Sequence, residues 1–376
     1  PEPLDYRIDG EITIQELKKI VPLVAELLPE LPVEQIPNGH FQVSGDVKGR
    51  HAETDIRATL NVENLAHDDV TVASARLTGD WQFSDDRVAG RTEGVLQDIA
   101  YQSNRFPRLD LNVSLNPQTL TAAIKLNKDT GESLQLAGQM APWRQDDRNV
   151  RIDTLRVTDI GAPLNRLIPE FSNADPIQLR THSDGIAIED FHLVSGEISL
   201  RAAGNLALRG SQQLTLSLNG VGLEPLSTLW QDEPTVEGLL AADVDLAGTG
   251  ESPIIDALIT VRGASGYEVS LSDVNLRARY REKSATLNLE GLLNGRKLFD
   301  LEGRSGMTLR LLPFEWTPQP GSLKAQLVAE NLKLSELPIP QRREVKADGL
   351  VNVRLQATGN IQQPQLTGFF TLKEGI

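Results

Sequence analysis

The sequence predicts a mostly β protein built from repeated units, with antiparallel or solenoid-like pairing of its strands. Two copies of one unit, Gly238 to Gly248 and Gly349 to Gly359, lie 111 residues apart. Each copy alternates apolar and polar residues, ends at a glycine and is followed by a proline, the pattern of a strand, a turn and a new strand. The chain lacks the alternation of strands with long helices that parallel sheets require.

Weaker signals extend the repeat. A degenerate third copy runs from Gly39 to Gly49, with Thr54 where the proline is expected. Apolar residues three positions apart precede each copy, as Leu223 and Leu226 do. Because this spacing is helical, we expect a short helical segment at the start of each unit.

The first expected element is a helix from Ile12 to Leu28, within a lead-in segment of residues 1–32. Its apolar residues recur at helical spacing; we expect Pro22 to kink or split it, and Pro29 and Pro32 to end it. We expect this amphipathic helix to dock on the protein's own sheet.

Strands dominate from Gly39 onward. We divide them at residue 222 into a first part of the sheet, 33–222, and a second part, 223–376, that holds the two strong repeats. Turn residues separate the strands at Ser84-Asp85-Asp86, Asn116-Pro117, Lys128–Gly131, Asn219-Gly220 and Asn294-Gly295. Short helices are predicted at Pro163–Glu170, Leu223–Trp230 and Leu332–Leu337.

Each strand has one aliphatic face, and a few short helices are too small to cover them all. Either two sheets pack as a sandwich, or one sheet curls and leaves an apolar trough. Exposed apolar surface is unfavourable, so composition alone favours the sandwich. An aliphatic lining without placed polar groups suits acyl chains. The candidate lining residues are Leu200, Leu206, Leu214, Leu216, Leu218, Leu240, Ala242, Val244, Leu246, Leu276, Leu287, Leu289, Val351, Val353, Leu355 and Ala357.

Composition excludes several functional classes. The net charge of −15 and the scattered arginines argue against a nucleic-acid partner. The chain has no cysteine, which excludes disulfides and thiolate metal sites and suits an oxidising compartment. The five histidines are far apart, and the Ser265 and Ser305 turns lack catalytic partners. We therefore expect no catalytic residues, no metal and no cofactor.

The two strong units resemble the recurring unit of the TamB family of AsmA-like proteins from the Gram-negative envelope. The stretches Lys297 to Arg304 and Gly368 to Gly375 are also similar to that family. The resemblance implies an elongated, curled antiparallel sheet (a β-taco) in the periplasm that carries phospholipid along an apolar groove. It further implies a TamA-like outer-membrane barrel as partner and an inner-membrane anchor. The chain begins at Pro1 and lacks the family's transmembrane helix, so we interpret it as a fragment whose anchor lies elsewhere.

The leading hypothesis is a non-enzymatic conduit for phospholipid acyl chains. One alternative is a structural or chaperone-like scaffold whose sheet edges assist the assembly of outer-membrane β-barrel proteins. A second is an extracellular β-solenoid adhesin, which the few aromatic residues disfavour. A hydrolase on a β scaffold ranks last, because no active-site motif is present.

Overall fold

A computed structural model describes residues 5–14, 38–50, 53–67, 69–84, 87–101, 104–129, 131–143, 145–158, 168–207, 210–227, 236–266, 269–311, 314–333 and 349–373 of the chain. These residues belong to two compact units. The first comprises Pro1–Ile160 and Glu170–Gln178, and the second comprises Gly161–Pro169 and Leu179–Ile376. The boundary placed at residue 222 from the sequence falls between two directly paired strands of the second unit.

The first unit is an antiparallel meander in which each strand pairs with the next one in sequence. One of its turns shows how the local sequence sets the fold, because the Asn116 side chain accepts hydrogen bonds from the amides of Gln118 and Thr119. Its strands are β1 (Asp5–Ile14), β2 (Asn38–Arg50), β3 (Glu53–His67), β4 (Val70–Ser84), β5 (Arg87–Tyr101), β6 (Asn104–Leu115), β7 (Leu120–Lys128), β8 (Gly131–Ala141), β9 (Arg148–Thr158) and β10 (Glu170–Asn173). The next strand, β11 (Ile177–His182), spans the boundary between the units.

The second unit is also antiparallel, with one hairpin leaving the main ladder. Its elements are β12 (Gly185–Ser195), β13 (Ile198–Ala207), β14 (Ser211–Gly222), α1 (Leu223–Ser227), β15 (Val236–Thr249), β16 (Pro253–Gly266), β17 (Val269–Arg281), β18 (Ser284–Leu293), β19 (Arg296–Leu311), β20 (Phe314–Pro318), β21 (Leu323–Lys333), β22 (Leu350–Asn360) and β23 (Gln363–Lys373). The middle of β19 pairs with β21, whereas its last five residues pair with β20. The sheet curls here, so that β16 approaches β19 although the two are not hydrogen-bonded neighbours.

Residues with positive φ inside strands keep apolar side chains on one face. Asn64, Asp98, Gly220 and Asn331 have φ values of 53°, 49°, 77° and 53°. Each lies between two apolar residues that are three positions apart, as Gly220 lies between Leu218 and Val221. Simple alternation would put such residues on opposite faces, but Leu218 and Val221 pair with Ala242 and Leu240, which share a face. The bulge therefore restores the parity of the strand.

The two copies of the 111-residue repeat share backbone conformation as well as sequence. Gly238 and Gly349 have φ values of 136° and 134°, and Gly248 and Gly359 have values of 85° and 100°. The bulges at Gly220 and Asn331 are 111 residues apart too, each with a one-residue shift of register. Gly39 and Gly49 of the degenerate copy do not share the positive φ.

The predicted class, mostly β with antiparallel pairing in a curled sheet, is confirmed. The sandwich that composition alone favoured is not formed within either unit, because the main contacts between described strands join hydrogen-bonded neighbours. The helix predicted at Leu223–Trp230 is confirmed over Leu223–Ser227. The turns at Asn116-Pro117 and Asn294-Gly295 are also confirmed.

Three local predictions are corrected. The helix expected from Ile12 does not begin there, because Tyr6, Ile8, Ile12 and Ile14 alternate along β1; residues 15–28 lie outside the described residues. The Asn219-Gly220 pair is a bulge within β14 rather than a turn. Leu332 and Lys333, the first residues of the helix expected at Leu332–Leu337, belong to β21 instead. Residues 334–337 are outside the described part, as are most of Pro163–Glu170.

The positive φ of Asn331 leads to a prediction about the stability of the fold. Asn331 is exposed, and its hydrogen bonds with Asn352 and Arg296 use its backbone. Asn331→Val places a β-branched residue at positive φ and should lower the free energy of unfolding by about 1–2 kcal/mol. Asn331→Gly should have a smaller effect, because glycine adopts this conformation without strain. Urea denaturation followed by circular dichroism measures both, and equal stabilities for the two variants would contradict the role of the bulge.

Candidate functional site

The ladder of the second unit places every predicted lining residue on one face, which we call the apolar face. Residues directly opposite each other in an antiparallel pair point to the same side, so rows of cross-strand partners trace that side. One row comprises Leu193, Leu200, Leu218, Ala242, Ile259, Leu276, Leu289, Leu301, Leu327, Leu355 and Gly368. The next comprises Phe191, Ala202, Leu216, Val244, Ala257, Ala278, Leu287, Gly303, Ala325, Ala357 and Leu366. Neither row contains a charged side chain.

The first unit also has an apolar face formed by rows of cross-strand partners. None of its residues is among the lining residues predicted from the sequence. One of its rows comprises Ile14, Phe41, Val62, Ala75, Leu96, Leu109, Leu126, Leu134 and Val157. The best-packed part of this unit is a cluster of Val62, Val72, Ala75 and Ile99. The signal was the same strand alternation, together with Asn64 and Asp98 at two of the bulges.

Most side chains of the apolar face are only half-buried. Leu214 is 7% exposed, but Leu287 and Leu355 are 36% and 42% exposed. Apart from proline, only thirteen hydrophobic side chains among the described residues are buried. Two sheets packed face to face would bury most of the inward residues of every strand. The apolar face is therefore an open surface rather than a closed core.

Charged side chains lie on the opposite, polar face. Asp256 accepts hydrogen bonds from Arg281 (2.7 Å) and Arg279 (3.0 Å), and the bond from Arg281 is the main cause that lowers the pKa of Asp256. Lys297 lies 3.2 Å from Glu290, which raises the pKa of Lys297 and lowers that of Glu290. These ion pairs are exposed and add little stability, but they keep that face in water.

Cavities differ in character between the two faces. Clefts of about 730 and 700 Å³ on the polar face lie against β4–β9 and β17–β22. Their linings mix both charge signs, as Arg76, Glu93, Asp110 and Lys125 do in the first, which does not select one class of ion. A cavity of about 350 Å³ on the apolar face of the second unit has almost purely apolar walls, including Ile255, Leu287 and Leu309.

The residues considered for catalysis have ordinary structural partners. The Ser265 hydroxyl donates to Glu237 (3.0 Å), the Ser305 hydroxyl contacts Ser322 (3.1 Å), and His192 lies 3.0 Å from the Ser199 hydroxyl. In the described parts of the chain, no three His, Asp or Glu residues converge in a way that would hold a metal ion. The apolar face is thus the candidate site.

Comparison with known protein families gives one match. The model of the TamB N-terminal domain matches residues 6–372, almost the whole chain. The chain belongs to the TamB family. TamB proteins are envelope proteins, so the apolar face belongs to a protein of the cell envelope. Neither the comparison with curated proteins nor that with solved structures gives a match. Within the described ranges, no helix is both long and apolar enough to cross a bilayer.

The openness of the apolar face in this TamB domain is testable, because the chain has no cysteine of its own. We expect Leu287→Cys, at a 36% exposed position, to react with a water-soluble maleimide in the folded protein. Leu214→Cys is the matched control, since it lies on the same face of the same unit at 7% exposure. It should react more slowly by about an order of magnitude, because labelling requires local opening. Equal, slow labelling of both positions would indicate a closed core.

Proposed function

We propose that this TamB domain is a segment of a non-enzymatic conduit that carries phospholipid acyl chains between the membranes of the cell envelope. The observation that supports this proposal is the charge-free apolar face, half-buried across successive strands of each unit. An acyl chain offers only CH₂ groups, which need apolar contact and no hydrogen-bond partner. The zwitterionic or anionic head group would stay at the rim or in water, because its burial without partners is costly.

The energetics of an open face favour passage over storage. Complete removal of a CH₂ group from water gains about 0.8 kcal/mol. An open face covers an acyl chain on one side only, so each group gains roughly half of that value. Similar aliphatic side chains follow one another along each row, so no single position holds the chain strongly. The lipid would therefore slide along a path of low barriers.

The location and partners of the conduit form part of the same proposal. A path between membranes requires the domain to lie in the periplasm, with the inner membrane at one end as anchor and lipid source. A TamA-like outer-membrane barrel is the proposed partner at the other end. The absence of cysteine fits an oxidising compartment.

A scaffold for outer-membrane β-barrel assembly is the second candidate, because of one observation on β23. Among the described strands, β23 pairs with β22, and its Leu366 and Phe370 side chains are 70% and 76% exposed. In β-augmentation an incoming strand pairs with the backbone of a sheet strand, and exposed apolar side chains such as these would contact it.

Photo-crosslinking in intact cells separates the two candidates. A photoreactive residue at Val244 or Leu355 should yield lipid adducts, because both positions lie on the apolar face. The neighbouring positions Asp243 and Gln356 are exposed on the polar face, so they are the matched controls and should yield few.

Other outcomes contradict the conduit. Equal lipid capture on both faces would mean that crosslinking reports general exposure to lipid. Protein adducts concentrated at Phe370, with no lipid at Val244, would favour the scaffold.

A further inference from the structure

The hairpin formed by the end of β19 and by β20 departs from the main sheet. Residues up to Gly306 of β19 pair with β18, whereas Met307–Leu311 pair with Phe314–Pro318. Leu309 pairs with Trp316, and Leu311 with Phe314. A hairpin at this place is not part of the repeated unit seen in β15 and β22.

Hydrogen bonds hold this hairpin over the apolar face. The Leu311 amide donates to the Gly250 carbonyl (2.8 Å), in the turn between β15 and β16. The Tyr280 hydroxyl accepts from the Leu309 amide (2.9 Å) and donates to the Met307 carbonyl (3.3 Å). Tyr280 is 6% exposed and lies on the apolar face, between Ile255 and Ala285 in its row. Tyr280 therefore links the sheet to the hairpin through two hydrogen bonds.

The hairpin gives the apolar cavity its second wall. Leu287, Leu301 and Leu323 of the main sheet line one side of this space of about 350 Å³, and Met307 and Leu309 line the other. The volume lies within the range of small-ligand sites, and its walls are almost wholly apolar. Arg279 and Arg304 also border this space but add almost no polar surface to it, so it offers a charged head group little, whereas an alkyl chain needs only apolar contact.

The apolar lining continues outward from the cavity. Cross-strand partners point to the same side, so Trp316 and Phe314 face the side that Leu309 and Leu311 face. Trp316 and Phe314 are nevertheless 57% and 69% exposed. They extend the apolar surface of the hairpin beyond this cavity.

We propose that this cavity is a retention site that encloses the end of one acyl chain between the sheet and the hairpin. The inference rests on the proposed conduit function and adds a place where the lipid pauses. A chain covered on two sides loses more contact with water than one on the open face, so it leaves more slowly. Tyr280 sets the strength of the closure through its two hydrogen bonds.

A chase experiment on the purified chain tests the proposal. The chain carries a photoreactive residue at Met307, in the hairpin wall, or at Leu216, on the open face of the same unit. It is loaded from vesicles of phosphatidylethanolamine and phosphatidylglycerol with radiolabelled acyl chains, then chased with unlabelled vesicles and illuminated at intervals. We expect the adduct at Met307 to persist about tenfold longer than that at Leu216.

Two variants distinguish the effect of the Tyr280 hydrogen bonds from general damage to the fold. Tyr280→Phe keeps the ring and removes both hydrogen bonds, so it should shorten the lifetime at Met307 towards that at Leu216 and leave the latter unchanged. Trp316→Ser changes a 57% exposed side chain whose cross-strand partner, Leu309, lines the cavity, and it should shorten the lifetime at Met307 as well. This second variant keeps the test valid if Tyr280→Phe disturbs the fold.

The outcomes distinguish the two proposals. Equal lifetimes at Met307 and Leu216 in the unaltered protein, or lifetimes that both variants leave unchanged, would overturn the retention site and leave the conduit standing. An absence of adduct at both positions would contradict the conduit and the retention site together.

Discussion

The register of the antiparallel ladder is the constraint on which this structure depends. A slip of one residue between two strands moves every aliphatic side chain of one strand to the polar face. The chain keeps its rows aligned through long strands and short turns, and bulges correct the parity where alternation fails. Gly220 and Asn331 make that correction at equivalent places in the two repeats. The bulged residues do not line the apolar face themselves. They keep the apolar side chains on either side of them on that face.

The distribution of charge follows from the same register. Acidic and basic side chains alternate with the aliphatic ones, so that ion pairs such as Asp256 with Arg279 and Arg281 lie on the polar face. Exposed pairs of this kind stabilise the fold weakly. Their effect is instead to define which side of the sheet remains in water and which is left for an apolar ligand. An open sheet of this kind gains less stability from its core than a sandwich does, because much of its apolar area remains partly exposed.

Much of the fold follows from the sequence, because side-chain alternation reports directly on strands with one apolar face. The residues from Leu240 to Leu246 and from Val351 to Ala357 illustrate this, since period-two alternation leaves no competing helical pattern. The bulges could not be read in this way. Asn219-Gly220 resembles a turn, because asparagine and glycine are both common in turns, yet it forms a bulge within β14. The sequence analysis did not predict that the hairpin forms a wall of the apolar cavity. Met307 and Leu309 alternate as residues of any strand do, and their position over the sheet follows from the tertiary hydrogen bonds of Tyr280.

Whether the apolar face carries lipid can be measured from the lipid content of the purified chain. The protein is isolated without detergent, extracted with organic solvent and analysed by mass spectrometry, beside an unrelated acidic β protein prepared in the same way. If the apolar face carries lipid, phospholipid should be recovered with this chain and not with the control. Reproducible absence of phospholipid from the folded chain would contradict it.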